Sequence, residues 1–167
     1  MVNFREKMLS FRHLCYKNGY LFAAFLIPVI LMGIAYISFG IYPFGGRSVL
    51  SLDLNAQYVF YFDYVHDVIG NGESLMYSWS RNLSGEFMGI IGYYLASPFN
   101  ILVWIFPRSM ITEGLLTMML AKFGACGVTF ALFAHKSQKL SKTTAALFAP
   151  MYALCAYMIV QTMDPMW

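Results

Sequence analysis

The sequence predicts an all-α integral membrane protein, and three observations carry that prediction. Only 11% of the 167 residues are charged while 59% are hydrophobic, against about 25% charged in an ordinary soluble domain. Uncharged apolar runs of membrane-crossing length recur along the chain. Lysines and arginines gather in the short stretches beside those runs, as in cytoplasmic loops. The composition excludes a disordered chain and argues against a soluble enzyme. Cys15, Cys126 and Cys155 lie far apart and form neither a disulfide framework nor a metal motif. The net charge of +3 is not concentrated into a nucleic-acid footprint.

The elements follow in order. Residues 1–19 carry Arg5, Glu6, Lys7, Arg12 and Lys17 and are expected to be a cytoplasmic amino end. Residues 20–42 are 23 positions without a charge, long enough at about 1.5 Å per residue to cross a core of roughly 30 Å. The run exceeds the h-region of a signal peptide and no A-x-A site follows it, so it reads as an uncleaved first span. Pro28 predicts a kink. Residues 111–134 and 144–163 are two further apolar runs, separated at 135–143 by a short loop with Lys136, Lys139 and Lys142 and no acid. That loop is expected in the cytoplasm, which sends the second span inward and the third outward. Residues 164–167 then begin a second external loop.

Residues 43–110 form the intervening external region of 68 positions. Pro43, Gly45 and Gly46 predict a tight exit turn. Residues 51–72 read as a helix, capped by Ser51 or Asp53 and stopped by Gly70 or Gly72. Asp53, Gln57, Tyr64 and Asp67 fall on one face at helical spacing, and Leu54, Tyr58, Tyr61, Val65 and Val68 on the apolar one. The run Phe87–Phe106 is also uncharged, but a crossing there would put the three-lysine loop outside. It is therefore expected to lie on or dip into the membrane, with a helix start at Ser97-Pro98.

The external region holds Asp53, Asp63, Asp67, Glu73 and Glu86, and a long acidic, aromatic loop between spans is where chemistry is expected. Asp53 suits a helix cap as well as a catalytic carboxylate. Asp63, Asp67 and Glu73 read as solvated charges. Tyr58 and Trp79 read as interfacial anchors, with stacking on sugar rings as a second use. Lys122 lies about 12 Å inside the second span, where it either snorkels outward or faces a carboxylate or lipid phosphate. Asp164 closes the third span, as a membrane stop or as a second carboxylate. His66 has no second histidine or cysteine beside it, which argues against a metal site. No P-loop, GxSxG or HExxH motif occurs.

Pro43-x-Gly45, Asp53-x-x-x-Gln57-Tyr58, Gly72, Trp79, Gly85, Tyr94-Leu95-x-Ser97-Pro98-x-Asn100 and Phe106-Pro107 together resemble the amino-terminal part of the bacterial YfhO family of polytopic membrane proteins. Members of that family are several times longer, so the resemblance implies an amino-terminal fragment. It also implies the C-type (GT-C) glycosyltransferase architecture, a polytopic bundle with a helical external loop. Such enzymes take a sugar from a polyprenyl-phosphate carrier and pass it to an acceptor outside the cytoplasmic membrane, here an envelope polymer such as teichoic acid. In this architecture Asp53 occupies the place of the loop acid that follows the first span, and Asp164 more loosely that of a second carboxylate. Gln57, Tyr58 and Trp79 are then the expected substrate contacts, and Arg47, Arg81 and Lys122 the cations for the leaving phosphate. The resemblance leaves a divalent metal open. Two other classes stay in view: a transporter or flippase subunit, suggested by Lys122, and a non-catalytic membrane scaffold.

Overall fold

The computed structural model describes residues 4–80 and 84–162, with side chains described from residue 18 onward. Helix α1 spans Phe4–Ser38. A π turn, Leu54–Tyr58, leads into α2, Val59–Asn71. A short antiparallel hairpin follows, β1 (Tyr77–Ser78) with β2 (Gly85–Glu86). Then come α3 (Met88–Ile90), extended by a second π turn Ile91–Leu95, and α4 (Ile101–Ile105), preceded by a 3₁₀ turn Pro98–Asn100. Helix α5 is Ile111–Lys136, α6 is Lys142–Ala153 and α7 is Ala156–Gln161. The protein is an all-α membrane protein.

Among the described residues two stretches are helical, long and apolar enough to cross a bilayer, Asn18–Ser38 and Arg108–Lys136. Met88–Leu95 and Pro98–Ile105 form a pair bent by 98°, a broken span or a re-entrant loop by its geometry. The bend falls where Ser97 turns extended (ψ 132°) and Pro98 opens the next helix. Proline disfavours a helical residue before it, which is why the chain cannot run straight through. Ser97 makes no side-chain cap bond, so proline alone sets this start.

The expected third span, 144–163, is not one helix. It starts earlier, at Lys142, because Ser141 accepts a hydrogen bond from the Thr144 N–H at 3.1 Å. It breaks between Ala153 and Ala156. Pro150, inside α6, has no N–H for the carbonyl four residues back. Beyond it the last turn tightens, with the Cys155 N–H on the Tyr152 carbonyl at 3.3 Å. Residues 164–167 lie outside the described residues.

The chain divides into two compact units, Met1–Gly33 with Phe123–Cys155 and Ile34–Lys122 with Ala156–Trp167. The first is built on small residues. Ala24, Ala131, Ala134, Ala145 and Ala149 are buried together, which lets helix backbones approach closely without a driving force from water. Pro28 leaves the Ala24 carbonyl without its partner in α1, and Gly127 of α5 lies against that carbonyl. A Cβ at Gly127 would also stand 3.2 Å from the Pro28 ring, and one at Gly124 2.5 Å from the Phe25 ring. The proline and the two glycines are therefore one packing device. At the end of this unit the Tyr20 ring takes the His135 edge at 5.3 Å and the Lys142 ammonium at 5.7 Å.

The second unit holds the larger core. Leu54, Tyr58, Phe62 and Val65 pack with Phe87, Ile90, Leu95, Val103, Leu115 and Met118. The apolar face expected for residues 51–72 is thus the buried one, but Tyr64, placed on the polar face, is buried too. The π turn explains the difference. One residue added to a turn rotates everything beyond it by about 100°, which separates Tyr64 from Asp53. The stop is Gly72, left-handed at φ 71°.

Replacing Gly127 by valine is expected to destabilise the purified protein by about 1–3 kcal/mol, read as a lower midpoint in detergent unfolding. Gly19→Ala, where an added Cβ meets nothing within 4 Å, is expected to leave the midpoint unchanged or raise it.

Candidate functional site

The second unit carries most of the residues that the sequence marks, and its charges are already sorted. Arg108 reaches back across 45 residues to grip Asp63 with two nitrogens, Nε and Nη2, each at 2.5 Å. Its Nη1 lies 2.5 Å from Asp67. Planar guanidinium and carboxylate match in this two-pronged way. Asp63 and Asp67, expected as solvated charges, are one half of a clamp that ties α2 to the chain just beyond α4. Glu86 accepts a hydrogen bond from the Gly89 N–H. Of the five acids between residues 43 and 110, Asp53 and Glu73 remain for other work.

Asp53 is exposed, and its carboxylate caps no backbone N–H. The cap role open to it in sequence is therefore not the one it plays. Its backbone setting is unusual on both sides. Leu52 is left-handed, at φ 48°, a conformation costing a branched side chain about 1–2 kcal/mol. The π turn Leu54–Tyr58 follows at once. Strained and π-helical backbone concentrates at functional sites because the surrounding structure must hold it there.

One turn along, Gln57 lines a cavity of about 550 Å³ with Tyr61, Tyr64, Ser78, Ser80 and Phe87. The hairpin, absent from the sequence reading, forms one wall. A second cavity of about 330 Å³, lined by Glu73, Tyr77 and Trp79 among others, shares Tyr64 and Ser80 with the first. The Tyr64 hydroxyl lies 3.0 Å from the Ser74 carbonyl and 3.2 Å from that of Tyr77. Its one proton is thus held inward, and the ring is fixed as the partition.

The two halves of the sequence pattern meet in this unit. Tyr58 and Tyr61 each place a ring 5.2 Å from Tyr94. Tyr58 is fully buried, on the apolar face where helical spacing places it with Leu54 and Val65, and it does not line the cavity. Asn100, the last polar residue of the pattern, is buried as well. Its amide finds no hydrogen-bond partner among the described residues.

The remaining candidates are not brought to the cavity. Arg47 is exposed, its backbone bridged to Ile41 in the turn that follows α1. Lys122 is half-buried in α5. Arg81 and Asp164 lie outside the described residues. Glu113, which the sequence reading passed over, accepts a hydrogen bond from the Tyr42 hydroxyl. The signal for it was an acid in the first turn of a span. Among the described residues no group of three histidines, cysteines or acids could hold a metal ion.

The family described as bacterial membrane protein YfhO matches residues 23–167. The chain belongs to the YfhO family. Neither a curated protein nor a solved structure matches it. The YfhO match takes in the pattern from Pro43 to Pro107, so the π turns, the bend and the cavities all lie inside the family region.

Arg108→Gln is expected to leave the segment 63–110 open to limited proteolysis several times faster than in the unchanged protein. The clamp is more than half exposed at Arg108, so its loss frees this segment locally and leaves the rest of the fold in place. Asp53→Asn, which removes no clamp, is expected to keep the original cleavage rate.

Proposed function

We propose that this YfhO protein is a membrane glycosyltransferase, moving a sugar from a polyprenyl-phosphate carrier to an envelope polymer such as teichoic acid. The observation that carries this reading is the setting of Asp53. An exposed carboxylate, not committed to a cap, stands between a left-handed leucine and a π turn, one turn from a cavity of ligand size. The C-type architecture that the family resembles supplies the reaction class.

The chemistry asks little of the protein beyond a base and a held geometry. The acceptor hydroxyl oxygen attacks the anomeric carbon, and the new C–O bond forms as the bond to the carrier phosphate breaks. The hydroxyl proton passes to the Asp53 carboxylate, and the lipid phosphate leaves with the bonding electrons. Gln57 orients the acceptor from the cavity wall. Arg47, Arg81 and Lys122 are the cations available to the departing phosphate, and Asp164 is the second carboxylate of the proposal. The prenyl tail stays in the bilayer, which is why a polytopic protein does this work. In this reading the three-lysine loop faces the cytoplasm of a bacterial cell and the segment 43–110 faces outward.

Asp53→Asn, introduced into the protein as the cell makes it, is expected to lower polymer glycosylation by about 10²–10⁴-fold, the usual worth of a general base. The measurement is sugar content of the isolated polymer at matched protein abundance. Unchanged sugar content would remove Asp53 from catalysis.

A further inference from the structure

We infer that the two adjoining cavities between α2 and the hairpin form a two-subsite groove for an uncharged saccharide, with Trp79 as its outer stacking platform. The role of the groove rests on the transferase reading; its chemistry does not. The larger cavity, about 550 Å³, is lined by amide, hydroxyl and aromatic groups, and none of its lining residues is an acid, a lysine, an arginine or a histidine. A phosphate has no counter-charge there, and an isolated charge is costly to hold in a partly dry cleft. A sugar ring asks for what is present: hydrogen-bonding groups at its edge and aromatic faces against its C–H surface.

The polar groups are built into the wall. Ser78 is 1% exposed, and its hydroxyl lies 3.2 Å from that of Ser80. Gln57 adds an amide donor and acceptor from the opposite side. The second cavity, about 330 Å³, continues past the Tyr64 partition and offers Glu73, which accepts hydrogen bonds from sugar hydroxyls. Both volumes fall in the roughly 300–1,000 Å³ range of small-molecule sites. Trp79 is 83% exposed and lines the second cavity, so its ring face is open to a ligand. The Tyr77 ring meets it edge-on at 4.9 Å and fixes its plane over the second cavity. Two cavities sharing a wall take two adjoining sugar rings of the acceptor, while the phosphates of a teichoic acid stay outside them.

The test is calorimetric titration of the purified protein with two neutral probes, maltotriose and triacetylchitotriose, and with inorganic pyrophosphate as the charged control. At least one trisaccharide is expected to bind saturably, with a Kd of about 1 mM, and pyrophosphate is not expected to compete. Trp79→Ala, at an exposed position where folding does not depend on the ring, and Gln57→Ala are each expected to weaken that binding by about tenfold, roughly 1.4 kcal/mol. No saturable heat from either trisaccharide, displacement by pyrophosphate, or full affinity in Trp79→Ala would each overturn the groove. The two proposals fail separately. Loss of glycosylation in Asp53→Asn without trisaccharide binding leaves the transferase and removes the groove. Trisaccharide binding with glycosylation intact in Asp53→Asn does the reverse.

Discussion

The contact between Tyr58 and Tyr94 is the constraint on which the second unit turns. Each ring stands in a π turn, Leu54–Tyr58 and Ile91–Leu95, and their centroids are 5.2 Å apart at 74°. Such an edge-to-face pair is worth about 0.5–1.5 kcal/mol beyond the area it buries. A widened turn has no advantage of its own over an α turn, so packing has to hold it. Here each π turn rotates the helix beyond it, and the two tyrosines fill the space so created. Asp53 then points to solvent while Phe62, Tyr64 and Val65 go into the core.

Electrostatics completes what the aromatics begin. Arg108 takes both Asp63 and Asp67, and Glu86 turns to the Gly89 N–H. Removing these acids from solution chemistry leaves Asp53 at the start of the helix and Glu73 just past its end. The cavity between them carries hydroxyls and an amide without formal charge. An exposed carboxylate at Asp53 and an uncharged cavity one turn away are the observations on which the proposed sugar transfer rests.

Much of this was legible in sequence where one local rule decides the outcome. The apolar runs of α1 and α5, the helix stop at Gly72, the turn with Gly45 and the break at Ser97-Pro98 each follow from composition or backbone preference over a few residues. The family pattern was legible too, because its pieces keep their order and spacing. What escaped was set by distance or by register. Nothing near Asp63 announces Arg108, 45 residues on. A π turn leaves no compositional mark, so the burial of Tyr64 could not be read from a 100° wheel. The hairpin strands are two residues each, too short for an alternating pattern. The break after Ala153 was hidden inside an apolar run that hydropathy alone treats as continuous.

The Tyr58–Tyr94 contact thus couples the two halves of the pattern. A double-mutant cycle tests it most directly: Tyr58→Leu, Tyr94→Leu and the pair, each followed by detergent unfolding of the purified protein. The double variant is expected to lose about 1 kcal/mol less than the sum of the singles, the signature of a direct aromatic pair. Strictly additive losses would mean that the two rings act independently, and that some other contact holds the π turns in place.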